Sequence, residues 1–358
     1  MESLFRILII VAFIGIIYYY AGPNAKQHDP LEGPNVVQQP ILEEKDIVDS
    51  EQTLTRPTEG LSTYIGKQSK EILSTYGRPT RIDKTPFHYK WWVYHNQDGL
   101  KMFGIADDTV VQVYTNSPNM DVAPYEIGEM LGDIYRMTII ESEVTAQIGD
   151  NIYMFAMNDY DLHSRILVKF QDIFAQLYID TETEKLIGVR FLDKETLVTH
   201  KPYEMQFIGE IINTPTPSSY HQKYIHQANV DQLLDLTNVF REQYGLQLLV
   251  SDPVIQELAM KNSENLFLRN ATTQETEIED ISLKDRLTAL DIQFKSASEI
   301  TATTYIDVIE AMHGWLNSKE HRKVLLDEGF THIGTGAYMD YYTQILITKN
   351  NRDLSGLQ

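Results

Sequence analysis

Residues 305–322, YIDVIEAMHGWLNSKEHR, carry the strongest structural signal in the chain. Apolar side chains recur here at the spacing of one helical face, which predicts an amphipathic helix over about 305–317. That apolar face consists of Tyr305, Val308, Ile309, Met312, Trp315 and Leu316. The polar end NSKEHR follows it, so side chains capable of chemistry stand directly beside a helix that must be buried.

Further helices and strands flank this segment. A helix begins near Asn229 and ends before Gly245, which is suited to a left-handed helix cap. A second helix follows Asp252-Pro253, where the acid is the N-cap and the proline fits the first turn. Strands are predicted at 333–337 and 341–347. Helices packed on a small antiparallel sheet indicate an α-β-α sandwich, which we assign to residues 229–350.

An internal repeat precedes this domain. Ile65-Gly66 recurs as Ile127-Gly128, the aromatic strand 91–94 aligns with 153–156, and 111–114 aligns with 175–178. Each unit has a short helix followed by strands with period-two alternation. We therefore expect residues 60–210 to form one duplicated α+β domain, because units this small usually pack together.

Trp91 and Trp92 are neighbours within the first aromatic strand. Successive side chains of a strand point to opposite faces. Large aromatic side chains dominate protein cores, so we expect one of the two in the core and the other on the opposite face or under a loop.

The N-terminus predicts a membrane segment. An apolar and aromatic run, ILIIVAFIGIIYYYA, occupies residues 7–21 and follows Arg6. Counted from Leu4, the stretch is about 18 residues, near the lower limit for a helix that crosses ~30 Å of hydrocarbon. The three tyrosines at its end are typical of a headgroup-layer belt. We expect residues 1–21 to be an uncleaved single-pass anchor with the folded domains outside. A cleaved signal, and hence secretion, is the alternative.

Two linkers are predicted. Residues 22–59 contain five prolines and eight acids against three basic residues. Such a segment buries too little apolar area to fold, so we expect an extended tether that holds the domains away from the membrane. The second linker, 211–228, contains NTPTPSS at 213–219, whose prolines disfavour helix.

Composition excludes several classes of protein. The chain has 358 residues and a formal charge of −21, with 30 Lys and Arg against 51 Asp and Glu. So acidic a surface repels phosphate backbones, so no nucleic-acid partner is expected. The cysteine count is zero, which excludes disulfides, zinc ribbons, iron–sulfur ligation and thiol nucleophiles.

The C-terminal block resembles the CAP superfamily, also called SCP or pathogenesis-related-1-like domains. The resemblance covers about 229–348 in family order. The matching residues are Asn238, Arg241, Tyr244-Gly245-Leu246, Leu249, Asp252, Ala259, Ser263, Asp285-Arg286-Leu287, Glu299-Ile300, Trp315-Leu316-Asn317-Ser318, His321-Arg322, Ile333-Gly334-Thr335-Gly336 and Tyr342-Thr343-Gln344. The whole chain resembles bacillus-type proteins in which a CAP-associated domain precedes the CAP domain, and block 60–210 has the position of that partner.

The resemblance implies a cleft whose floor, in many relatives, carries two histidines and two acids. Glu299 falls on the family's Gly-Glu-Asn glutamate, and His321 falls on its Ser-x-x-His-Arg histidine. The other positions depart from the pattern. Residues 270–273 are NATT where a histidine is expected, Tyr341 replaces the second histidine, and Ser318 replaces an acid. The cleft candidates are therefore Glu299, His321, Ser318 and Tyr341.

These candidates supply few metal ligands. Zinc takes about three protein ligands and calcium several hard oxygens, whereas Glu299 and His321 give two. We therefore expect no cofactor and disfavour a divalent metal. The set His313, Asn317 and His321 at i, i+4 and i+8 could form a metal-binding face, but it is not the H-E-x-x-H arrangement, and His313 sits at the edge of the apolar stripe. Ser318 lies three residues from His321, yet no G-x-S-x-G elbow surrounds it and no acid is placed to orient the imidazole.

The candidate residues also have structural interpretations. His321 can cap the helix that begins at Tyr305 or pair with Glu320, and Glu299 can pair with Lys295 on the surface. Arg241 and Arg286 are expected to hold helix ends and loops through acid partners.

Three functions follow, of which we favour the first. It is a non-enzymatic binding or scaffold module, tethered to the cell membrane and facing outward, whose cleft takes a lipid, a peptide or an envelope component. The second is a metal-assisted hydrolase or protease that uses Glu299 and His321. The third is a purely structural role, with both domains acting as interaction surfaces.

Overall fold

The computed structural model describes residues 23–41, 54–96, 99–271 and 281–349. They fold as mixed α and β structure, which confirms the predicted α+β class. The predicted anchor, residues 1–21, lies outside the described residues. Within the described ranges, no helix is both long and apolar enough to cross a membrane.

The elements are numbered here in chain order. The helices are α1 (Ser69–Tyr76), α2 (Leu131–Met137), α3 (Asp159–Ser164), α4 (Lys194–His200), α5 (Ser219–Gln243), α6 (Pro253–Ala271), α7 (Leu283–Ala289), α8 (Val308–Asn317) and α9 (Lys319–Leu325). The strands are β1 (Asn24–Gln27), β2 (Leu31–Glu32), β3 (Gln38–Pro40), β4 (Arg81–Lys84), β5 (Lys90–Asn96), β6 (Gly99–Ala106), β7 (Thr109–Thr115), β8 (Glu143–Ile148), β9 (Asn151–Ala156), β10 (Arg165–Phe170), β11 (Ile173–Asp180), β12 (Lys185–Asp193), β13 (Glu204–Ile208), β14 (Val250–Ser251), β15 (Phe294–Thr303), β16 (His332–Tyr338) and β17 (Tyr341–Lys349).

A seven-stranded sheet joins the two repeat units of the N-terminal block. Its strand order is β10-β11-β12-β7-β6-β5-β4, and the halves meet where β12 runs antiparallel to β7. Strands β8 and β9 of the second unit belong instead to a four-stranded sheet ordered β3-β13-β9-β8. Both units therefore contribute to one sheet, and the repeat is broken where the second unit sends two strands elsewhere.

The C-terminal block is a sheet between two helix layers. Its strand order is β1-β15-β17-β16-β14, and β2 also pairs with β15. Helices α6 and α7 cover one face, while α5 and α8 cover the other. Added Cβ atoms at Gly334 and Gly336 would overlap the α6 backbone, so these glycines let α6 lie close on β16. The predicted α-β-α sandwich is confirmed.

Several element bounds differ from the sequence prediction. Helix α5 begins at Ser219 rather than near 229, because the Ser218 side chain caps it by accepting from the His221 amide. Helix α8 begins at Val308 rather than 305, since the Asp307 carboxylate accepts from the Glu310 amide. The Asp252 cap of α6 is confirmed by bonds from the Val254 and Ile255 amides. Strand β15 and helix α7 were not predicted.

The two folded blocks share a continuous hydrophobic core. One face of the seven-stranded sheet packs within its own domain, and the other packs against α5 and α8. Trp91 is buried on the face toward the C-terminal domain, whereas Trp92 packs on the opposite face. The predicted split of the two tryptophans is confirmed, and the core that Trp91 enters is the one between the domains.

The prediction that residues 22–59 form a free tether is wrong for the described part. Residues 23–41 are extended, but β1 and β2 run parallel to β15, and β3 runs parallel to β13. Further along, Leu54 forms a bridge with Phe170, and Arg56 pairs with Asp172. Backbone pairing needs no apolar side chains, so an acidic, proline-containing segment can still add to a sheet.

Candidate ligand cleft at the edge of the C-terminal sheet

Glu299 is buried on β15 and held by an arginine. Arg286 of α7 donates from Nη1 to Oε1 at 3.0 Å and from Nη2 to Oε2 at 2.6 Å. Gln27 of β1 donates to Oε2 at 3.1 Å. The predicted surface pair with Lys295 is wrong. The expectation that Arg286 takes an acid partner is confirmed, and this bidentate pair fixes the carboxylate in place.

His321 is buried on α9 and hydrogen-bonded at both ring nitrogens. Its Nε2 lies 3.2 Å from the Asp29 carbonyl oxygen, and its Nδ1 lies 2.7 Å from Ser318 Oγ. A carbonyl only accepts, so Nε2 carries the proton and Nδ1 accepts from the Ser318 hydroxyl. Burial lowers the pKa of His321, against the opposing effect of the Asp29 carbonyl. The imidazole is therefore neutral near pH 7.

The two structural interpretations of His321 are wrong. The predicted helix ends at Asn317, and His321 belongs to the next helix, so it does not cap the first. Glu320 faces His28 instead, with 3.9 Å between carboxylate and imidazole.

Ser318 and His321 form a hydrogen-bonded pair, but the third member of a triad is lacking. The group opposite the serine is a main-chain carbonyl, and within the described ranges no carboxylate bonds to the His321 ring. Triad catalysis needs an acid that stabilises the imidazolium as it forms. The pair therefore orients the imidazole rather than activating the hydroxyl.

Tyr341 stands apart from the other candidates. Its hydroxyl accepts from Asn270 Nδ2 at 3.0 Å, and its ring meets Phe267 edge-on. Glu299 pairs in register with Ile345, four residues further along β17. The structure thus brings Ser318 to His321, whereas Tyr341 contacts α6.

The residues present do not fit a divalent metal site. Both Glu299 oxygens are engaged by Arg286, and both His321 nitrogens have partners. In the described part of the chain, no group of three or more His, Asp or Glu side chains is placed to hold an ion. A metal at this position would have to displace the arginine first.

One segment joins Glu299 to His321. We call residues 24–33 the strap. Its Gln27 side chain bonds to Glu299, and two residues later its Asp29 carbonyl accepts from His321. No direct hydrogen bond links Glu299 and His321 in the described structure, so the strap connects the two cleft positions.

A second polar cluster lies between the two domains. Arg190 of β12 donates to both Asp307 oxygens at 3.0 and 2.7 Å, and its side chain is fully buried. Gln176 donates to Glu310 at 2.7 Å, and Arg165 lies 3.5 Å from the same carboxylate. The sequence signal for this cluster is a charged residue within an otherwise apolar segment, namely Arg190 in LIGVRFLD and Glu310 in VIEAM.

Residues of the CAP motif also hold the N-terminal domain. Arg322 donates to Asp180 at 2.9 Å, and Tyr244 donates to the same carboxylate at 2.8 Å. Asn317 donates to the Ile179 carbonyl at 2.8 Å. These pairs show that the end of α8 and the start of α9 are an interdomain surface.

His313 belongs to this surface and not to a metal face. Its Nε2 bonds to Tyr114 at 2.9 Å, and its ring stacks on Tyr178 with centroids 4.0 Å apart. Asn317 faces the same domain, whereas His321 lies beyond the helix end. Arg241 holds loop carbonyls of Gln247, Leu325 and Asp327 rather than the expected acid side chain.

Two cavities border the strap. One of about 370 Å³ lies between strap residues 31–32, α3 and α8, and includes Glu310 and His313. The other, about 350 Å³, lies between α6 and α7, and Gln27 forms part of its wall with Arg286, Leu258 and Leu290. The second cavity has apolar lining beside a fixed charge, which suits a ligand with both apolar and polar parts.

Two family models match the chain. One, described as the cysteine-rich secretory protein family (CAP), covers residues 234–348. The other, described as CAP-associated N-terminal, covers residues 65–203.

Curated relatives and solved structures extend this match to the whole fold. The uncharacterized membrane protein YlbC of Bacillus subtilis (strain 168) is 32% identical over 355 residues, which is 98% of this chain and 100% of the relative. A crystal structure of an extracellular SCP-domain protein from Bacillus anthracis str. Ames gives a TM-score of 0.76 at 33% identity, covering 85% of this chain and 100% of that one. A cysteine-rich secretory protein from Staphylococcus aureus subsp. aureus Mu50 gives 0.74 at 26% identity, covering 90% and 100%.

Proposed function

The chain belongs to the CAP, or cysteine-rich secretory protein, family, and from this premise we propose that it is a non-enzymatic binding module at the cell envelope. It is anchored in the membrane through residues 1–21 and carries its ligand site at the β15 edge. The CAP-associated domain positions that site through its contacts with the end of α8 and the start of α9.

One observation carries the non-enzymatic assignment. Arg286 engages both oxygens of Glu299, so the carboxylate is neither a free metal ligand nor a free general base. A general base must lie within hydrogen-bond reach of the proton it removes, with an oxygen available to accept it. Glu299 is instead a fixed acceptor for a ligand's N–H, the role that Gln27 fills.

The envelope location has separate support. The apolar run at 7–21 is long enough for a membrane helix when counted from Leu4. One full-length relative is named a membrane protein, and one solved relative is named extracellular. Fractionation of cells that make the full chain, followed by protease treatment of intact protoplasts, tests both points. Membrane-bound, protease-accessible domains are expected, and a protected soluble chain would contradict the proposal.

Metal titration tests the non-enzymatic assignment. The full chain is melted with Zn²⁺, with Ca²⁺ and with EDTA, beside Glu299→Gln, His321→Gln and the exposed control Glu328→Gln. A ligand at 100 times its Kd adds about 2.7 kcal/mol to the unfolding free energy, which a melting curve resolves. We expect no metal-dependent shift in any of the four proteins.

The alternative, a metal-assisted hydrolase that uses Glu299 and His321, makes the opposite prediction. It requires stabilisation by a metal that is lost in both cleft variants and kept in Glu328→Gln. It also requires release of Glu299 from Arg286, which leaves a half-buried arginine without its acid. The purely structural alternative predicts that no ligand binds at the β15 edge.

A further inference from the structure

The strap completes the edge of the C-terminal sheet. Strand β15 pairs with β17 along one side, while its other side pairs with β1 and then β2. The His28 amide donates to the Glu299 carbonyl at 3.1 Å, and the Gly33 amide donates to the Thr303 carbonyl at 2.8 Å. Without the strap, this side of β15 would be an open edge of unpaired backbone groups, which attracts an added strand.

Both polar atoms of the Gln27 side chain form hydrogen bonds with the CAP domain. The Gln27 amide nitrogen donates to Glu299 at 3.1 Å, and the Gln27 carbonyl oxygen accepts from the Leu283 amide at 3.1 Å. A carboxylate at this position would face Glu299 with a like charge, and an ammonium could not accept from Leu283. The site therefore selects a carboxamide.

The next contact involves the strap backbone rather than a strap side chain. His321 donates to the Asp29 carbonyl, an interaction that any residue at this position can make. The combination of parallel backbone pairing, one side-chain subsite and one carbonyl subsite is the usual arrangement for recognition by strand addition.

The strap is held loosely compared with the strands of the core. Asn24, Lys26 and Gln27 are exposed, and Leu31 is only partly buried. Few of the strap's side chains bury apolar area, so backbone hydrogen bonds supply most of the strap's attachment to β15. Low apolar burial and exposed backbone bonds favour local opening without unfolding of the domain.

We propose that the β15 edge is a peptide-binding site that this chain fills with its own strap. The partner is an extended peptide that pairs parallel to β15 and places a glutamine carboxamide between Glu299 and the Leu283 amide. The strap is its intramolecular competitor, and the peptide binds by exchange with it. This inference rests on the proposed function, because it names the ligand class of the same site.

The test uses the full chain and a labelled synthetic peptide with the strap sequence, residues 23–34. The variant Gly33→Ala weakens the strap alone, because an added Cβ would lie 2.8 Å from the Thr304 carbonyl oxygen and 2.9 Å from the Tyr305 nitrogen. Lys26→Ala is its matched control in the strap, since Lys26 is exposed. We expect Gly33→Ala to bind the peptide about ten-fold more tightly than the parent, because competition lowers apparent affinity by the fraction of open sites.

A disulfide supplies the reverse change. Asn24 and Ser296 are register partners, and the chain has no other cysteine, so Asn24→Cys with Ser296→Cys can form only one intramolecular bridge. Paired strand positions lie within the Cα separation that a disulfide spans. The oxidised variant is expected to lose peptide binding, and reduction is expected to restore it.

Peptide variants test the carboxamide subsite. A peptide carrying Gln27→Glu is expected to bind about ten-fold more weakly, whereas one carrying Lys26→Ala binds like the parent peptide. Equal binding by all peptides, or unchanged binding by the oxidised variant, would place the peptide elsewhere and overturn the inference.

The outcomes separate this inference from the proposed function. Absence of peptide binding in Gly33→Ala, with no metal response in the melts, overturns the peptide site and leaves the non-enzymatic module intact. Cleavage of the bound peptide, seen by mass spectrometry and abolished in Glu299→Gln, overturns the non-enzymatic assignment and keeps the site.

Discussion

In the described part of the chain, the CAP domain contacts the CAP-associated domain and the strap, and the two contacts differ in depth. Toward the CAP-associated domain it presents α8 and α9, where Arg190, Asp307 and Glu310 are buried and paired. Toward the strap it presents the β15 edge, where one face of the contact remains open to solvent. Buried ion pairs are costly to separate, whereas exposed backbone pairing exchanges easily. The first contact is therefore permanent and the second exchangeable.

The residues of the family motif are divided between these two contacts. Residues that follow Trp315 suggest a cleft when they are seen in sequence alone. In the structure, Asn317 and Arg322 contact the CAP-associated domain, whereas Glu320 and His321 face the strap. A single turn of chain thus serves both contacts, which couples the position of the cleft to the neighbouring domain.

Breaking the contact between the CAP domain and the CAP-associated domain should cause the largest loss of unfolding free energy. Arg190→Met leaves the Asp307 carboxylate buried without its partner, and we expect a loss of about 3–5 kcal/mol in unfolding free energy. Urea denaturation measures it. Arg136→Met, which removes an exposed pair with Asp133, is the control and should cost less than about 1 kcal/mol. Similar losses in the two variants would contradict a deep interdomain contact.

Steric interference at the same contact should have a smaller effect. An added Cβ at Gly188 would lie 2.9 Å from the His313 ring, which is stacked on Tyr178. We expect Gly188→Ala to lower the unfolding free energy by about 1–3 kcal/mol. Gly132→Ala, in helix α2 with open space around it, should instead be neutral or stabilising. A neutral Gly188→Ala would mean that the two domains are not tightly packed there.

Acid should weaken both contacts through neutral histidines. Burial, with the nearby Arg190 charge, lowers the pKa of His313 well below its usual value against the opposing charge of Asp180, and burial lowers that of His321. The unfolded chain then binds more protons, so stability is full above about pH 6.5 and falls as the pH drops toward each folded pKa.

Each such histidine contributes a slope of up to about 1.4 kcal/mol per pH unit. Urea denaturation of His313→Gln between about pH 7.5 and 5.5 should show a reduced slope, while the exposed control His163→Gln keeps the parent slope. Burial raises the pKa of Glu310, which acts in the opposite sense, so the variants are compared rather than the absolute slopes. An unchanged slope in His313→Gln would show that protonation of His313 does not contribute to the pH dependence of stability.

The last expected effect is confined to the strap. Hydrogen exchange should show the amides of His28 and Gly33 opening about 2 kcal/mol or more below the global unfolding free energy, which is roughly a 30-fold faster exchange. Amides of the buried strand β12 should report global unfolding. Equal protection of the strap and β12 amides would show that the strap contact is as stable as the interdomain contact.

Sequence reasoning predicted the elements with strong periodicity. The apolar face of α8 and the Asp252 cap of α6 are each encoded by residues that lie close together in sequence, so both were found. Strand β15 was missed because SASEITATT mixes small and polar residues, and its central acid is neutralised by Arg286 from another element. The strap partners of Glu299 and His321, Gln27 and Asp29, lie far away in sequence, and no local pattern specifies them.

The strap was missed for a different physical reason. Its contacts are mainly backbone groups and one carboxamide, so neither hydropathy nor charge pattern marks it. Its acids and prolines predicted an unpaired chain, and the prediction failed because an open sheet edge supplies partners that the segment's own sequence does not reveal.

The position of β1 so early in the chain has a mechanical consequence. Strand β1 begins at Asn24, so if residues 1–21 are the proposed membrane anchor, only about two residues, spanning at most ~3.5 Å each, would separate the membrane from the sheet edge. Tension between the membrane and the folded domains would enter at Asn24 and pass along the strap before it reached any other element. The load would first peel apart the pairs from Asn24↔Ser296 to Gln27↔Glu299, and the amount of force on the anchor would set how often the β15 edge is open.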